Sequence, residues 1–193
     1  MEFKDFANYH FILASKSPRR QYLLKELGLT IDVKTKEVNE DFPESLIAQA
    51  IPLYLCEKKA AAFDEELNEK TIVITADTIV WVENQVLNKP ENFEDAVRML
   101  RLLSGKMHQV FTGVCLKSTN KTMSFFAETK VYFKHLTAEE INYYISTYEP
   151  YDKAGAYGAQ EFIGFIGIDK IEGTYFNVMG LPLRELYEAL LKF

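Results

Sequence analysis

Apolar and polar positions along the chain switch between two periods, and each switch predicts an element. Ile12-Leu13-Ala14 is a brief apolar run, followed by polar Ser15-Lys16-Ser17 and then by Leu23, Leu24 and Leu27 at helical spacing. Ser17 suits an N-cap, Pro18 the first helical position, and Gly28 a left-handed helix end. Residues 29–36 alternate weakly and predict a strand, with an acidic loop at 37–41. Pro43 to Phe63 is helical in pattern, but Pro52 interrupts it. That predicts a short helix ending near Ala50 and a second one starting at Pro52. Thr71 to Val82 is nearly continuous in apolar and β-branched residues, as in a strand buried on both faces. Glu83-Asn84-Gln85 predicts a hairpin turn, and Asn92 caps a helix that Ser104-Gly105 ends. Val110–Leu116 and Thr122–Phe133 read as strands joined by a polar turn. Thr137 and Glu140 form a capping box for a helix to about Thr147. A glycine-containing loop covers 150–160, and mostly apolar Phe162–Ile171 predicts a buried strand. Gly180-Leu181-Pro182 precedes an amphipathic helix to Lys192. Helices alternating with both hairpins and longer crossovers predict an α/β or α+β fold with a mixed sheet.

The chain has 193 residues, enough for one domain or two small lobes around a shared sheet. A formal net charge of −6 argues against a general nucleic-acid or anionic-membrane binder. No apolar run approaches the ~20 residues of a membrane span. The N-terminal five residues lack the regions of a signal peptide. The expectation is a cytoplasmic protein with no nucleic-acid or membrane partner. Cys56 and Cys115 have neither disulfide nor zinc spacing and read as small core residues. His10, His108 and His135 are scattered and suggest no metal cluster.

Three places break local rules. Arg19 and Arg20 put two cations in the first turn of a helix, at the positive end of its dipole. That costs roughly 0.3–1 kcal/mol per charge unless something compensates. An anion would do so. Helix-start amides, the hydroxyls of Ser15 and Ser17, and two guanidinium forks together suit a polyphosphate. Two solvated arginines on a surface turn is the other reading. Lys59 interrupts an apolar helix face, with its stem snorkelling outward or its ammonium turned into a cleft. Asp77 lies inside the strongest apolar strand, where a carboxylate is costly unless paired, metal-bound or protonated.

These residues fall in blocks that run in one order along the chain. The blocks are Leu13-Ala14-Ser15-Lys16-Ser17-Pro18-Arg19-Arg20, Lys59-Ala60, Ala76-Asp77-Thr78, Lys89-Pro90, Leu103-Ser104-Gly105, Thr112-Gly113-Val114, Asp152-Lys153-Ala154-Gly155-Ala156-Tyr157 and Tyr175-Phe176-Asn177-Val178-Met179-Gly180-Leu181-Pro182. As a set they resemble the Maf family of nucleoside triphosphate pyrophosphatases over nearly the whole chain. The resemblance implies one domain over residues 1–193, with residues 1–9 an N-terminal addition. The implied fold is α/β of the Maf and inosine triphosphatase type. It has a mixed twisted sheet with flanking helices, in two lobes around a nucleotide cleft, and is usually a homodimer.

The resemblance also implies hydrolysis of a nucleoside triphosphate to the monophosphate and pyrophosphate, with a divalent cation, magnesium or manganese. Asp77 matches the family's proton acceptor, with Lys59 and Lys89 as catalytic cations. Ser15, Ser17, Arg19 and Arg20 surround the phosphates, and Glu40 with Asp77 takes the metal. The chemistry agrees, because charge shifting on a triphosphate needs fixed cations, and water needs a base and a Lewis acid. Arg19, Thr78 and Gln160 fall on specificity positions, in a pattern similar to the branch acting on dTTP and UTP. Gln160 is followed by Glu161 where the family usually has glycine, which narrows the loop or adds charge near the base. A second class of function stays open: a nucleotide-binding regulator of cell division, since the family name is linked to inhibition of septum formation.

Overall fold

The structure, a computed structural model, describes residues 6–193. Residues 1–5 lie outside the described residues. They hold the segment read for a leader signal and most of the expected N-terminal addition. The elements in chain order are β1 (His10–Leu13), α1 (Pro18–Glu26), β2 (Ile31–Val33), α2 (Ala50–Ala61), β3 (Thr71–Val82), β4 (Gln85–Leu87), α3 (Phe93–Leu103), β5 (Met107–Lys117), β6 (Thr122–Phe133), α4 (Ala138–Tyr148), α5 (Phe162–Gly167), β7 (Ile168–Glu172), α6 (Tyr175–Val178) and α7 (Leu183–Lys192). The strands form a seven-stranded sheet in the order β2-β1-β3-β5-β6-β7, with β4 on β3. Strand β1 is parallel to β2 and to β3, whereas β3–β4 and β6–β7 are antiparallel. The sheet is therefore mixed, as the alternation of elements predicts.

By its internal packing the chain divides into two units. The first comprises Met1–Asp77, Thr112–Ala127 and Gly180–Phe193, and the second Thr78–Phe111 and Glu128–Met179. In the first, β1, α1 and β2 make a crossover that places Phe11 opposite Ile31 and Ile72. Parallel strands need such a crossover because a tight turn cannot reverse the chain twice. Its core includes Ile12, Phe63 and Val73, and a cluster of Cys56, Ala60 and Cys115. Both cysteines are buried, in keeping with their reading as core residues. In the second unit Leu100 and Leu103 of α3, Val131 of β6 and Ile141 and Ile145 of α4 pack into one core with the ends of β3 and β5.

The local signals hold at most element ends. Ser17 accepts from the Arg20 amide and caps α1 behind Pro18, and Gly28 takes φ +82° just past that helix. Glu83 and Asn84, both at positive φ, turn β3 into β4. A two-residue turn of that hand matches the twist of the strands it joins. Thr137 and Glu140 complete the capping box of α4.

Two expectations are corrected. No helix forms over residues 43–49, and α2 runs unbroken through Pro52. Proline stands in the first turn, where its missing N–H has no intrahelical partner to lose. The run Phe162–Ile171 is not one strand: α5 occupies Phe162–Gly167, and β7 begins at Ile168. An apolar run without polar interruption carries no period of its own. Ile163 and Gly167, one helical turn apart, are buried, while Phe165 is 72% exposed. Gly164 lies so close to Ala159 that a β-carbon would come within 2.2 Å of its carbonyl oxygen, which admits only glycine. Among the described residues no helix is long and apolar enough to cross a membrane.

Candidate active site

The first unit gathers Ser15, Ser17, Arg19, Arg20, Glu40, Lys59 and Asp77. Ser15 lies just beyond β1 and accepts from the Ser17 amide, 3.2 Å away, which shapes the turn into α1. The helix start then carries the Arg20 side chain inward. Its Nε donates to the Gly180 carbonyl at 2.9 Å, and Nη1 donates to the Ala76 carbonyl at 2.7 Å and to Ser15 Oγ at 3.4 Å. Burial lowers the Arg20 pKa from the ordinary arginine value, and the charge of Asp77 acts against that. Arg20 is thus not simply a solvated surface arginine: it braces the backbone beside Asp77. Exchange to alanine removes a charged donor from two buried carbonyls, and should lower stability by about 2–3 kcal/mol in urea denaturation. A loss under 0.5 kcal/mol would show that the brace is dispensable.

Asp77 sits in the part of β3 buried on both faces, and is itself 9% exposed. Its Oδ1 accepts from the Lys59 ammonium at 2.6 Å, and the same ammonium is 2.8 Å from Glu40 Oε1. The alignment of α2 on β3 explains this meeting. Thr75 Oγ1 donates to the Cys56 carbonyl at 2.6 Å. Asp77 is two residues beyond Thr75 on the same strand face, and Lys59 one helical turn beyond Cys56. The acidic loop is fastened alongside, with Lys58 donating to the Asp41 carbonyl at 3.0 Å and Asn39 closing a turn onto the Asp41 amide. The stem of Lys59 therefore does not snorkel to solvent; the ammonium joins two carboxylates.

Among the described residues no group of three or more His, Cys, Asp or Glu converges to hold a metal. The two carboxylates that share the Lys59 ammonium are hard oxygen donors. A magnesium ion keeps several waters and takes its other ligands from one or two carboxylates and from phosphate. Asp77 and Glu40 fit that donor set.

The second unit holds Thr78, Lys89 and Gln160. Thr78 and Gln160 are half-buried, and Lys89 is exposed. The loop carrying Gln160 is anchored at several points. Gly155, at φ +69°, donates its amide to the Asn88 carbonyl at 3.1 Å, which ties the loop to the residue before Lys89. A β-carbon there would press to 2.9 Å from the Val80 side chain. Tyr157, from the same motif, is a core residue: its hydroxyl is 2.7 Å from His108 Nε2, and its ring meets Phe133 edge to face. The aromatic part of the motif is therefore structural. Lys153 is 8% exposed and pairs with Asp152 at 2.6 Å and Glu161 at 3.2 Å. Tyr144 of α4 donates to Glu161 and accepts from the Gly158 amide at 3.0 Å. The sequence reading missed Tyr144, which stands on an amphipathic helix with nothing local to mark it.

Residues 10–193 match the model of the Maf-like protein family. The dTTP/UTP pyrophosphatase of Phocaeicola vulgatus is 52% identical over 190 residues, covering 98% of each chain. The dTTP/UTP pyrophosphatase of Bacteroides thetaiotaomicron is 51% identical over 185 residues, covering 95% of this chain and 96% of that one. Among solved structures, the Ham1 protein of Staphylococcus aureus superposes with a TM-score of 0.51 at 16% identity, over 95% of this chain and 98% of that one, a likeness of fold. With the family's motifs in order along the chain and the match spanning all but the first nine residues, the protein belongs to the Maf family.

Proposed function

We propose that this protein is a nucleoside triphosphate pyrophosphatase that hydrolyses dTTP and UTP to the monophosphate and pyrophosphate, a cytoplasmic house-cleaning activity carried out by a homodimer. The observation that carries the reading is the buried Asp77 carboxylate held at 2.6 Å by the Lys59 ammonium, itself shared with Glu40. The relatives named dTTP/UTP pyrophosphatase support the choice of substrate.

In the proposed reaction a water oxygen bonds to the α-phosphorus while its proton passes to the Asp77 carboxylate. The bond from the α-phosphorus to the bridging oxygen breaks, and pyrophosphate leaves with the electron pair. Lys59 holds the Asp77 carboxylate in one orientation, and with Lys89, Arg19 and Arg20 it supplies the fixed positive charge that such a transfer requires. Ser15 and Ser17 shape the turn that aims α1 at the phosphates. A bound magnesium or manganese ion, held by Asp77 and Glu40, would neutralise phosphate oxygens and polarise them. Thr78, Gln160 and Arg19 select the base, and the Gln160 carboxamide can offer a pyrimidine edge both a donor and an acceptor.

Pyrophosphate release from dTTP, UTP, CTP and 7-methyl-GTP, with magnesium and catalytic amounts of enzyme, tests the reading. Turnover of dTTP and UTP is expected, with 7-methyl-GTP poor; no release from any of them would leave a nucleotide-binding regulator instead. Gln160→Glu should lower the pyrimidine rates selectively, because a site built for one hydrogen-bond pattern is left unpaired by the wrong one. An equal drop on every substrate would show that Gln160 only holds its loop.

A further inference from the structure

Glu161 follows Gln160 directly and takes the cap position of α5. Its side chain makes no capping hydrogen bond to that helix. The carboxylate turns back into the loop instead, accepting from the Tyr144 hydroxyl and pairing with Lys153 at 3.2 Å. Tyr144 is fully buried, Lys153 nearly so, and the Glu161 side chain is 19% exposed. The Tyr144 oxygen also takes the Gly158 amide at 3.0 Å. One buried tyrosine and one carboxylate thus fasten the start of the loop at Lys153, its middle at Gly158 and its end at Glu161. A carboxylate this enclosed loses hydration that the charge pair and the hydroxyl must replace. The fold of α5 does not require it, since that helix starts without a side-chain cap.

We propose that Glu161 is a positioning residue for base selection, locking residues 152–160 in one conformation and so fixing where Gln160 presents its carboxamide. This rests on the proposed role of Gln160. Burial and then the neighbouring Glu161 carboxylate raise the Tyr144 pKa above the ordinary tyrosine range, so the hydroxyl stays a donor at neutral pH. Without the carboxylate the loop samples other conformations, and apparent affinity falls by the fraction that remains competent.

The test compares wild type with Glu161→Ala, Glu161→Gln, Tyr144→Phe and the Tyr144→Phe/Glu161→Ala double variant. Three quantities are read: KM and kcat for UTP and dTTP, inhibition by inorganic tripolyphosphate, and hydrogen exchange at the Gly158 amide. Glu161→Ala is expected to raise both KM values about tenfold with kcat little changed, to leave tripolyphosphate inhibition as in wild type, and to speed Gly158 exchange. Glu161→Gln keeps an acceptor for Tyr144 and should recover most of the loss. Tyr144→Phe should resemble Glu161→Ala, and the double variant should be no worse than either, as for residues acting as one unit. Unchanged KM and unchanged exchange in Glu161→Ala overturn the proposal. So does a parallel weakening of UTP and tripolyphosphate, which would mean a general structural role. If wild type releases no pyrophosphate from UTP or dTTP, the substrate reading fails by itself. Gly158 exchange then still decides whether Glu161 locks the loop.

Discussion

Replacing Asp77 with asparagine is expected to lower turnover of UTP by about a hundredfold to ten-thousandfold, the usual contribution of a positioned general base. The substitution keeps the shape of the side chain and an oxygen that can accept from Lys59, 2.6 Å away in the native chain. It removes the ability to take a proton. Lys59 keeps Glu40 at 2.8 Å, so the half-buried ammonium is not stranded, and the chain should fold. Losing one partner of a buried pair costs most when the other charge is left alone, which this arrangement avoids. The check is pyrophosphate release alongside circular dichroism and a denaturation curve. Near-normal turnover in a folded Asp77→Asn protein would remove Asp77 from the role of base. Conversely, Lys59→Ala should act by releasing the carboxylate from its fixed orientation, so its effect and that of Asp77→Asn should not add.

The second large effect is on stability and depends on pH. His108 is buried at 1% exposure, with Nε2 on the Tyr157 hydroxyl and no partner for Nδ1 among the described residues. Burial lowers its pKa from 6.5 to about 3, so the folded chain holds it neutral. The folded value lies below the unfolded one. The stabilisation is therefore fully present above pH 6.5 and drains away as pH falls toward 3, because only the unfolded chain takes up the proton. The slope is about 1.4 kcal/mol per pH unit, reaching about 4–5 kcal/mol over the whole window. Between pH 7 and 5, wild type should lose about 2 kcal/mol more than a His108→Gln variant, which has no such proton to take up. Denaturant midpoints at both pH values would measure this, and parallel losses in the two proteins would show that the folded chain protonates His108 readily. The consequence reaches the loop that carries Gln160, since Tyr157 anchors it to this histidine.

The candidate site was legible to different depths at different residues. Asp77 announced itself, because one carboxylate inside a continuous apolar strand is visible without any partner. Lys59 was ambiguous: its interruption of an apolar face is the same whether the stem snorkels or the ammonium is paired. The packing of α2 on β3, fastened by the Thr75–Cys56 hydrogen bond, brings it to Asp77. Arg20 was legible as an anomaly of charge at a helix start. Its partners are carbonyls 56 and 160 residues away, and no local pattern predicts them. The family resemblance named Gln160 but left Glu161 open between narrowing the loop and adding charge. The structure answers that the charge is engaged by Tyr144 and Lys153.

What the sequence alone determined is what its nearest neighbours can satisfy. The cap of α1 by Ser17, the capping box of α4 and the turn at Glu83-Asn84 each close within a few residues, so their signals survive without a fold. The buried strand β3 belongs with them, because twelve consecutive residues carry its apolar character. The tertiary structure alone decided the rest. It made Phe162–Gly167 a helix, by a glycine pressed against the Ala159 carbonyl. It let α2 run through Pro52 by starting that helix at Ala50. It also joined Tyr144 to Glu161 across 17 residues. The physical reason is the same in all three. A run with no period, a proline near a helix start and a buried hydroxyl are each compatible with several local conformations. The choice is made by packing and by hydrogen bonds to distant groups, which have no position until the sheet has formed.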